Sequence, residues 1–164
     1  MKTNFWVISD THFGHKRIHE MCGRPKDFEW LIFDNIRETV QDNDVLIHLG
    51  DFCLDDPNLW HIEFINHCPG KKWLILGNHD KKSLTWYMNR GWDFVGTELL
   101  LSIHGKRVLF SHKPLPICDR YDINIHGHLH NSGHRDESQV TGKHVLVKCE
   151  HEYKPVNLRA LCGQ

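Results

Sequence analysis

Five short segments of the chain gather side chains able to bind metal ions. They are Asp10-Thr11-His12, Gly50-Asp51, Gly77-Asn78-His79-Asp80, Ser111-His112-Lys113-Pro114 and Gly127-His128-Leu129-His130. Asp10, Asp51, Asn78 and four or five of the histidines supply enough oxygen and imidazole donors for two metal ions that share one ligand, a set suited to metal-assisted hydrolysis of an ester. Each fragment alone is commonplace in turns, but a tetrapeptide such as Gly-Asn-His-Asp arises by chance on the order of once in a thousand chains of this length. The bland alternative is ordinary turn aspartates and core histidines, with at most one structural zinc. Such a zinc would more often be closed in by thiolates, and no cysteine belongs to the five segments.

In order and content the segments resemble the calcineurin-like metallophosphoesterase superfamily, whose pattern reads DxH, GD, GNH[DE], H, GHxH. The likeness spans residues 10 to 130 with no position missing. It implies two divalent ions, one held by Asp10, His12, Asp51 and His130 and the other by Asp51, Asn78, His112 and His128. Asp51 would bridge them, a role suited to a carboxylate with two oxygens and a negative charge. Asn78, a weak neutral ligand, would help leave the site electrophilic. The resemblance further implies a metal-bridging hydroxide as nucleophile and His79 as a catalytic acid that does not ligate the metals. Mn is the expected metal, with Fe, Zn, Co or Ni suiting the same donors.

His15 resembles a substrate-phosphate histidine of small phosphoesterases, which often carry a downstream arginine that Arg24 would supply. Plain solvation is the alternative for both. Asp55 and Asp80 read equally as supports for the ligands or as helix caps and surface charges. His48 and His126 precede motifs within strand runs and read as satisfied core histidines.

Departures from subfamily patterns narrow the substrate. Ser/Thr protein phosphatases carry GDxxDRG, whereas this chain reads Gly50-Asp51-Phe52-Cys53-Leu54-Asp55-Asp56, with no arginine to clamp a phosphoprotein. It also lacks the length that larger nucleases and purple acid phosphatases use for capping domains. A phosphodiesterase acting on a small or flexible phosphate ester is expected; phosphomonoesterase activity, a non-catalytic metal-binding scaffold and a histidine-rich metal store are the alternatives. Lys and Arg number 20 against 21 Asp and Glu, so no global field recruits duplex nucleic acid. Nothing in the sequence fixes an oligomeric state.

These ligands must be positioned by a chain of 164 residues, 40% hydrophobic with six Trp and eight Phe, which suits one domain over residues 1–164. Six cysteines without a CxxC pair, and an amino terminus without a signal pattern, predict a reducing cytoplasm. No apolar run is long enough to span a membrane.

Apolar runs Phe5–Ile8, Val45–Leu49 and Trp73–Leu76 lead into the first three ligand segments and read as strands. A helix is predicted from Asp27 on the spacing of Phe28, Leu31, Ile32, Ile36 and Val40. A second is predicted after Asp56-Pro57, carrying Leu59, Trp60, Ile62, Phe64 and Ile65, and a third after Asp80. Later runs, Glu98 to Ile103 and Arg107 to Phe110, read as a hairpin turning at His104-Gly105-Lys106. Ile123–Ile125 and Val145–Val147 read as further strands, Lys154-Pro155-Val156 as the end of the fold, and Ser138 to Lys143 as a surface turn. The pattern alone gives an α/β protein with a mixed sheet. The resemblance sharpens this to an αββα sandwich of two mixed β-sheets flanked by helices, metallo-dependent phosphatase-like, with the motifs along one rim. Of the remaining histidines, His61, His67, His134, His144 and His151 are expected to face solvent.

Overall fold

In a computed structural model that describes residues 3–103, 105–130 and 143–163, each of the first three apolar runs becomes a strand. The first half of the chain runs β1 (Phe5–Ile8), α1 (Ile18–Cys22), α2 (Phe28–Thr39), β2 (Val45–His48), α3 (Pro57–His67), β3 (Lys71–Ile75), α4 (Leu84–Met88) and β4 (Phe94–Gly96). The second half runs β5 (Glu98–Ile103), β6 (Lys106–Ser111), β7 (Ile123–His126), β8 (His144–Leu146), β9 (Val156–Asn157) and α5 (Leu158–Leu161). One sheet has the order β4-β3-β2-β1-β9, parallel except for β9; the other has the order β5-β6-β7-β8, with β5 antiparallel to β6.

Parallel strands buried on both faces have no polar alternation, and β2 is buried at all four of its residues. Its period of two still divides the interior. Ile8, Leu46 and Leu74 meet Ile32, Phe33, Ile36 and Phe64 from the helices. Val7, Val45, Ile47 and Ile75 meet Val108, Phe110 and Ile125 from the second sheet. This is the expected αββα sandwich, with unequal outer layers. Helices α1 to α4 send residues into the first sheet's outer core. On the second sheet, the segment 113–121 packs over Asn124: Leu115 N–H donates to Asn124 Oδ1 (2.9 Å), and Tyr121 O–H donates to the Leu115 and Pro116 carbonyls (2.9 and 3.0 Å).

Asp56 caps α3 by accepting from Leu59 N–H (3.1 Å), with Pro57 at the first helical position. Two helix faces differ from their expected composition. In α2 the buried positions are Phe28, Ile32, Phe33 and Ile36, while Leu31 is 37% exposed. In α3, Leu59 and Ile62 face solvent, and His61 turns inward with Phe64.

His61 is therefore buried rather than solvent-facing. Phe64 fixes the inner face, and position 61 lies one turn before it on that face. The ring stacks on Phe52 at 4.2 Å between centroids and accepts from Trp92 Nε1–H (2.9 Å). Burial pushes its pKa down to about 3. His144 is also buried, its Nε2 bonded to the Leu115 carbonyl (2.8 Å). His67 and His151 are exposed as expected. His104, His134 and all of Ser138–Lys143 except Lys143 lie outside the described residues. No helix among the described residues is long and apolar enough to cross a membrane.

Candidate metal centre

Strand register sets the ligand loops at one level. Ile8 pairs with His48 and His48 with Leu74, while Ser111 pairs with His126 in the other sheet. Asp10, Asp51 and Asn78 thus leave β1, β2 and β3 at the carboxyl edge, as His112 and His128 leave β6 and β7, the edge where ligands gather in open α/β sheets. The first two loops run side by side, with the N–H groups of Asp10, His12 and Phe13 donating to the carbonyls of Gly50, Asp51 and Phe52 (3.0, 3.0 and 2.9 Å). Two bonds tie the sheets together here: His112 Nδ1–H donates to the Leu49 carbonyl (2.8 Å), and His128 N–H to Asp10 Oδ2 (2.8 Å).

Backbone strain is concentrated on the same residues. Asp10, His12, Asp51, His128 and His130 all have left-handed φ, of 54°, 50°, 53°, 72° and 43°. Each such non-glycine conformation costs on the order of 1–3 kcal/mol and persists only where its surroundings enforce it. Two glycines allow the crowding: a Cβ on Gly77 would overlap Asp51 Oδ1, and one on Gly127 would overlap Ser9 Oγ and Asp10 Oδ2.

The side chains converge in two groups, Asp10 with His12 and His130, and Asp51 with His112 and His128. In the first, His130 Nε2 lies 3.3 Å from Asp10 Oδ1 and 3.1 Å from His12 Nε2. In the second, His112 Nε2 lies 3.1 Å from Asn78 Oδ1, 3.1 Å from His128 Nδ1 and 3.3 Å from Asp51 Oδ2. With its Nδ1 proton given to Leu49, a neutral His112 presents only a lone pair to these acceptors. Asp51 Oδ2 faces both groups, 3.8 Å from His12 Nε2 and 3.3 Å from His112 Nε2.

Ring nitrogens and carboxylate oxygens crowded this closely place a demand for positive charge between them. Buried Asp10 Oδ1 accepts no well-formed hydrogen bond, and the nearest ring nitrogen to it is His130 Nε2 at 3.3 Å. Although burial opposes it, the Asp10 and Glu150 carboxylates push the pKa of His130 up to about 9, and Asp51 raises that of His112. The carboxylates thus draw protons onto neighbouring imidazoles, and divalent cations would meet the same electrostatic demand. Mixed oxygen and imidazole donors fit Mn, Fe, Zn, Co or Ni.

The other expected site residues fall into distinct positions. His79 lies exposed at the mouth, its Nε2 3.8 Å from Asp51 Oδ2 and its backbone N–H donating to Asp51 Oδ1 (2.8 Å). His15 stands beside His12, with ring centroids 5.9 Å apart. Buried Asp80 accepts from the N–H groups of Asp51, Gly77 and Phe52 (2.8, 2.8 and 3.2 Å), so it holds the two ligand loops together. Asp55 is exposed and pairs with Lys16. His48 is a satisfied core residue: Gly50 N–H donates to its Nδ1 (3.1 Å), and its Nε2–H donates to Thr11 Oγ1 (2.9 Å).

Arg24 points into the fold and not toward a substrate. Its guanidinium donates to the carbonyls of Thr11 and Asp10 (both 2.6 Å) and to Glu150 Oε1, which also meets His130 Nδ1 (3.1 Å). Glu150 lies outside every motif, and no local signal distinguishes it in the sequence.

A cavity of about 290 Å³ opens beside the second group, lined by Asn78, His112, Lys113 and Thr97 among others. Another, of about 380 Å³, opens at His15, Lys16 and Arg17. An apolar cavity of about 360 Å³ between Phe5, Trp73, Leu101 and Leu158 contains none of the donors.

The calcineurin-like phosphoesterase family model matches residues 3–159. An uncharacterized protein of Methanocaldococcus jannaschii, MJ1445, is 29% identical over 93% of this chain and 86% of its own length. The gene 66 protein of Mycobacterium phage L5 is 34% identical over 48% of this chain and 40% of its own. Among solved structures, the protein of unknown function AQ665 from Aquifex aeolicus has a TM-score of 0.81 at 29% identity, covering 99% of both chains. The Pseudomonas putida nuclease MPE shares the fold, with a TM-score of 0.52 at 20% identity over 77% of this chain and 61% of its own.

Proposed function

Because the chain belongs to the calcineurin-like phosphoesterase family, metal-dependent hydrolases of phosphoester bonds, we propose that it cleaves phosphodiesters using two divalent cations at the sheet rim. Asp10, His12, Asp51 and His130 would hold one cation, and Asp51, Asn78, His112 and His128 the other, with Mn as the proposed metal. When bound, the pair would supply Lewis acidity toward phosphoryl oxygens and a hydroxide nucleophile near neutral pH. The observation that carries this reading is the single oxygen, Asp51 Oδ2, that faces both donor groups.

The remaining steps fall to the protein's own side chains. Exposed at the mouth and tethered through its backbone to Asp51, His79 can reach a leaving oxygen and give it a proton. His15 Nδ1 accepts from Arg17 N–H (3.2 Å), so a neutral ring carries its proton on Nε2, free to donate to a phosphoryl oxygen. Burial lowers the His15 pKa, which favours that neutral form.

Charge also supports the assignment. Asp10 and Asp51 bring two negative charges, which two divalent cations would more than offset, so a phosphate can be held on a chain of nearly balanced charge. Arg24 is turned inward, which removes the guanidinium that would otherwise clamp a dianionic monoester. We therefore favour a diester, small or flexible, in a reducing cytoplasm, which suits six cysteines without a CxxC pair.

The test is hydrolysis of bis-p-nitrophenyl phosphate and p-nitrophenyl phosphate by metal-stripped protein with and without Mn. Mn-dependent release with the diester turned over faster is the expected result. Faster monoester cleavage would make this a phosphomonoesterase, and no release with two ions bound would make it a scaffold.

A further inference from the structure

We propose that Arg24 and Glu150 form a buried latch that positions the first donor group, with Glu150 fixing the ring of His130 and Arg24 fixing Glu150 together with the loop that bears Asp10 and His12. Neither side chain touches the donor point; both act through residues that do.

The side chains of Arg24 and Glu150 are 0% and 2% exposed, so the pair is screened from water and its geometry is enforced. Glu150 Oε1 takes three donors: Arg24 Nε–H (2.9 Å), Arg24 Nη2–H (2.6 Å) and His130 Nδ1–H (3.1 Å). With Nδ1 protonated by this bond, Nε2 is the atom left to face Asp10 Oδ1 and His12 Nε2. A carboxylate behind an imidazole fixes the tautomer and strengthens the ring as a ligand. The same guanidinium reaches forward, with Nη1 to the Thr11 carbonyl and Nη2 to the Asp10 carbonyl. Those bonds brace the loop in which Asp10 and His12 hold left-handed φ.

Glu150 is anchored in turn. It follows β8 on a segment whose Glu152 and Tyr153 carbonyls accept from Asn35 Nδ2 on α2 (3.1 and 3.0 Å). The latch thus spans the helix layer, the β1 loop and the segment that returns from the second sheet. The second donor group is built differently, with His112 oriented by the neutral carbonyl of Leu49.

Cys22, His130 and Glu150 also lie close enough to suggest a separate cation site. The Arg24 guanidinium, 2.6 Å from Glu150 Oε1, opposes a second cation there, and the latch explains the cluster without one.

The inference rests on His130 being a metal ligand, as proposed above. The probe is Mn alone, titrated into wild type and Glu150→Gln. The variant is expected to keep one Mn at wild-type affinity and to bind the other 10- to 100-fold more weakly. Unchanged binding of both ions, or equal weakening of both, would overturn the latch. A second readout needs no variant: long-range 15N–1H NMR of metal-free wild type is expected to place a hydrogen-bonded proton on His130 Nδ1. A neutral ring protonated only at Nε2 overturns the latch even if Glu150→Gln fails to fold. Wild type that binds no Mn would overturn the ligand assignment itself, a failure distinct from the others.

Discussion

Two clusters of buried histidine meet at one dipeptide. Asp51 turns its carboxylate toward His12 and His112, while Phe52, the next residue, stacks on His61 in a cluster with Phe64 and Trp92. In the aromatic cluster the imidazole's need is met, since Trp92 donates to His61 Nδ1. At the rim, nitrogen faces nitrogen at 3.1 Å, and buried Asp10 Oδ1 has a ring nitrogen at 3.3 Å but no well-formed hydrogen bond. Burial is common to both, so burial does not separate function from packing. What the ring nitrogen meets does: one matched donor in the aromatic cluster, and a crowd of ring nitrogens and carboxylate oxygens at the rim.

The contrast fails most visibly if the rim does not depend on its shared oxygen. Asp51→Asn is expected to lower occupancy of both metals and to reduce kcat/KM by more than the roughly 10²- to 10⁴-fold that loss of a catalytic acid costs. Metal analysis showing two tightly held ions in that variant would remove Asp51 from the centre of the argument. His79→Asn comes next, with kcat down by that 10²- to 10⁴-fold and two Mn retained. Loss of metal from this variant would show that the division between ligand and acid is wrong. On the other side of the dipeptide, Trp92→Phe should destabilise the fold by about 2–4 kcal/mol, through lost volume and an unmet His61 acceptor, with Mn affinity unchanged. Urea unfolding and Mn titration together check that separation; altered Mn affinity would mean that the two clusters are coupled.

How far the sequence carried this contrast depends on the range of each interaction. β1 was read to the residue, Phe5–Ile8, because an apolar run stops where polar donors begin. The motif residues stood out only as a combination, each fragment alone being an ordinary turn, and the fold brings Asp10, His12 and His130, and Asp51, His112 and His128, into two groups. His61 was misread because its sequence neighbours are polar, and only the inner face chosen by Phe64 shows where position 61 points. Leu31 and Phe33 exchanged places on α2 for a similar reason, since helical spacing leaves a range of orientations open. Arg24 and Glu150 are 126 residues apart, and no local pattern announces a partner at that distance. Nor did composition reveal the five left-handed donors, because aspartate and histidine, though enriched at positive φ, adopt it in only a small minority of cases.

The smallest effect gives the sharpest reading of the quiet cluster. Burial, with lesser contributions from His48 and Arg90, holds the His61 pKa down at about 3, whereas an unfolded chain releases that proton near 6.5. Between these values the unfolded state binds a proton that the folded state refuses, so stability rises with pH. The contribution is complete above about 6.5 and is lost progressively as pH falls toward 3. At pH 5 the loss relative to pH 7 is about 2 kcal/mol from this one ring. His61→Gln keeps an acceptor for Trp92 but cannot titrate, so its stability should fall about 2 kcal/mol less than wild type between pH 7 and pH 5. Taking the difference between the two proteins cancels titration of the rim histidines, which both retain. Parallel pH profiles in urea unfolding would mean that His61 takes up its proton while folded, and the two clusters would then differ less than their geometry indicates.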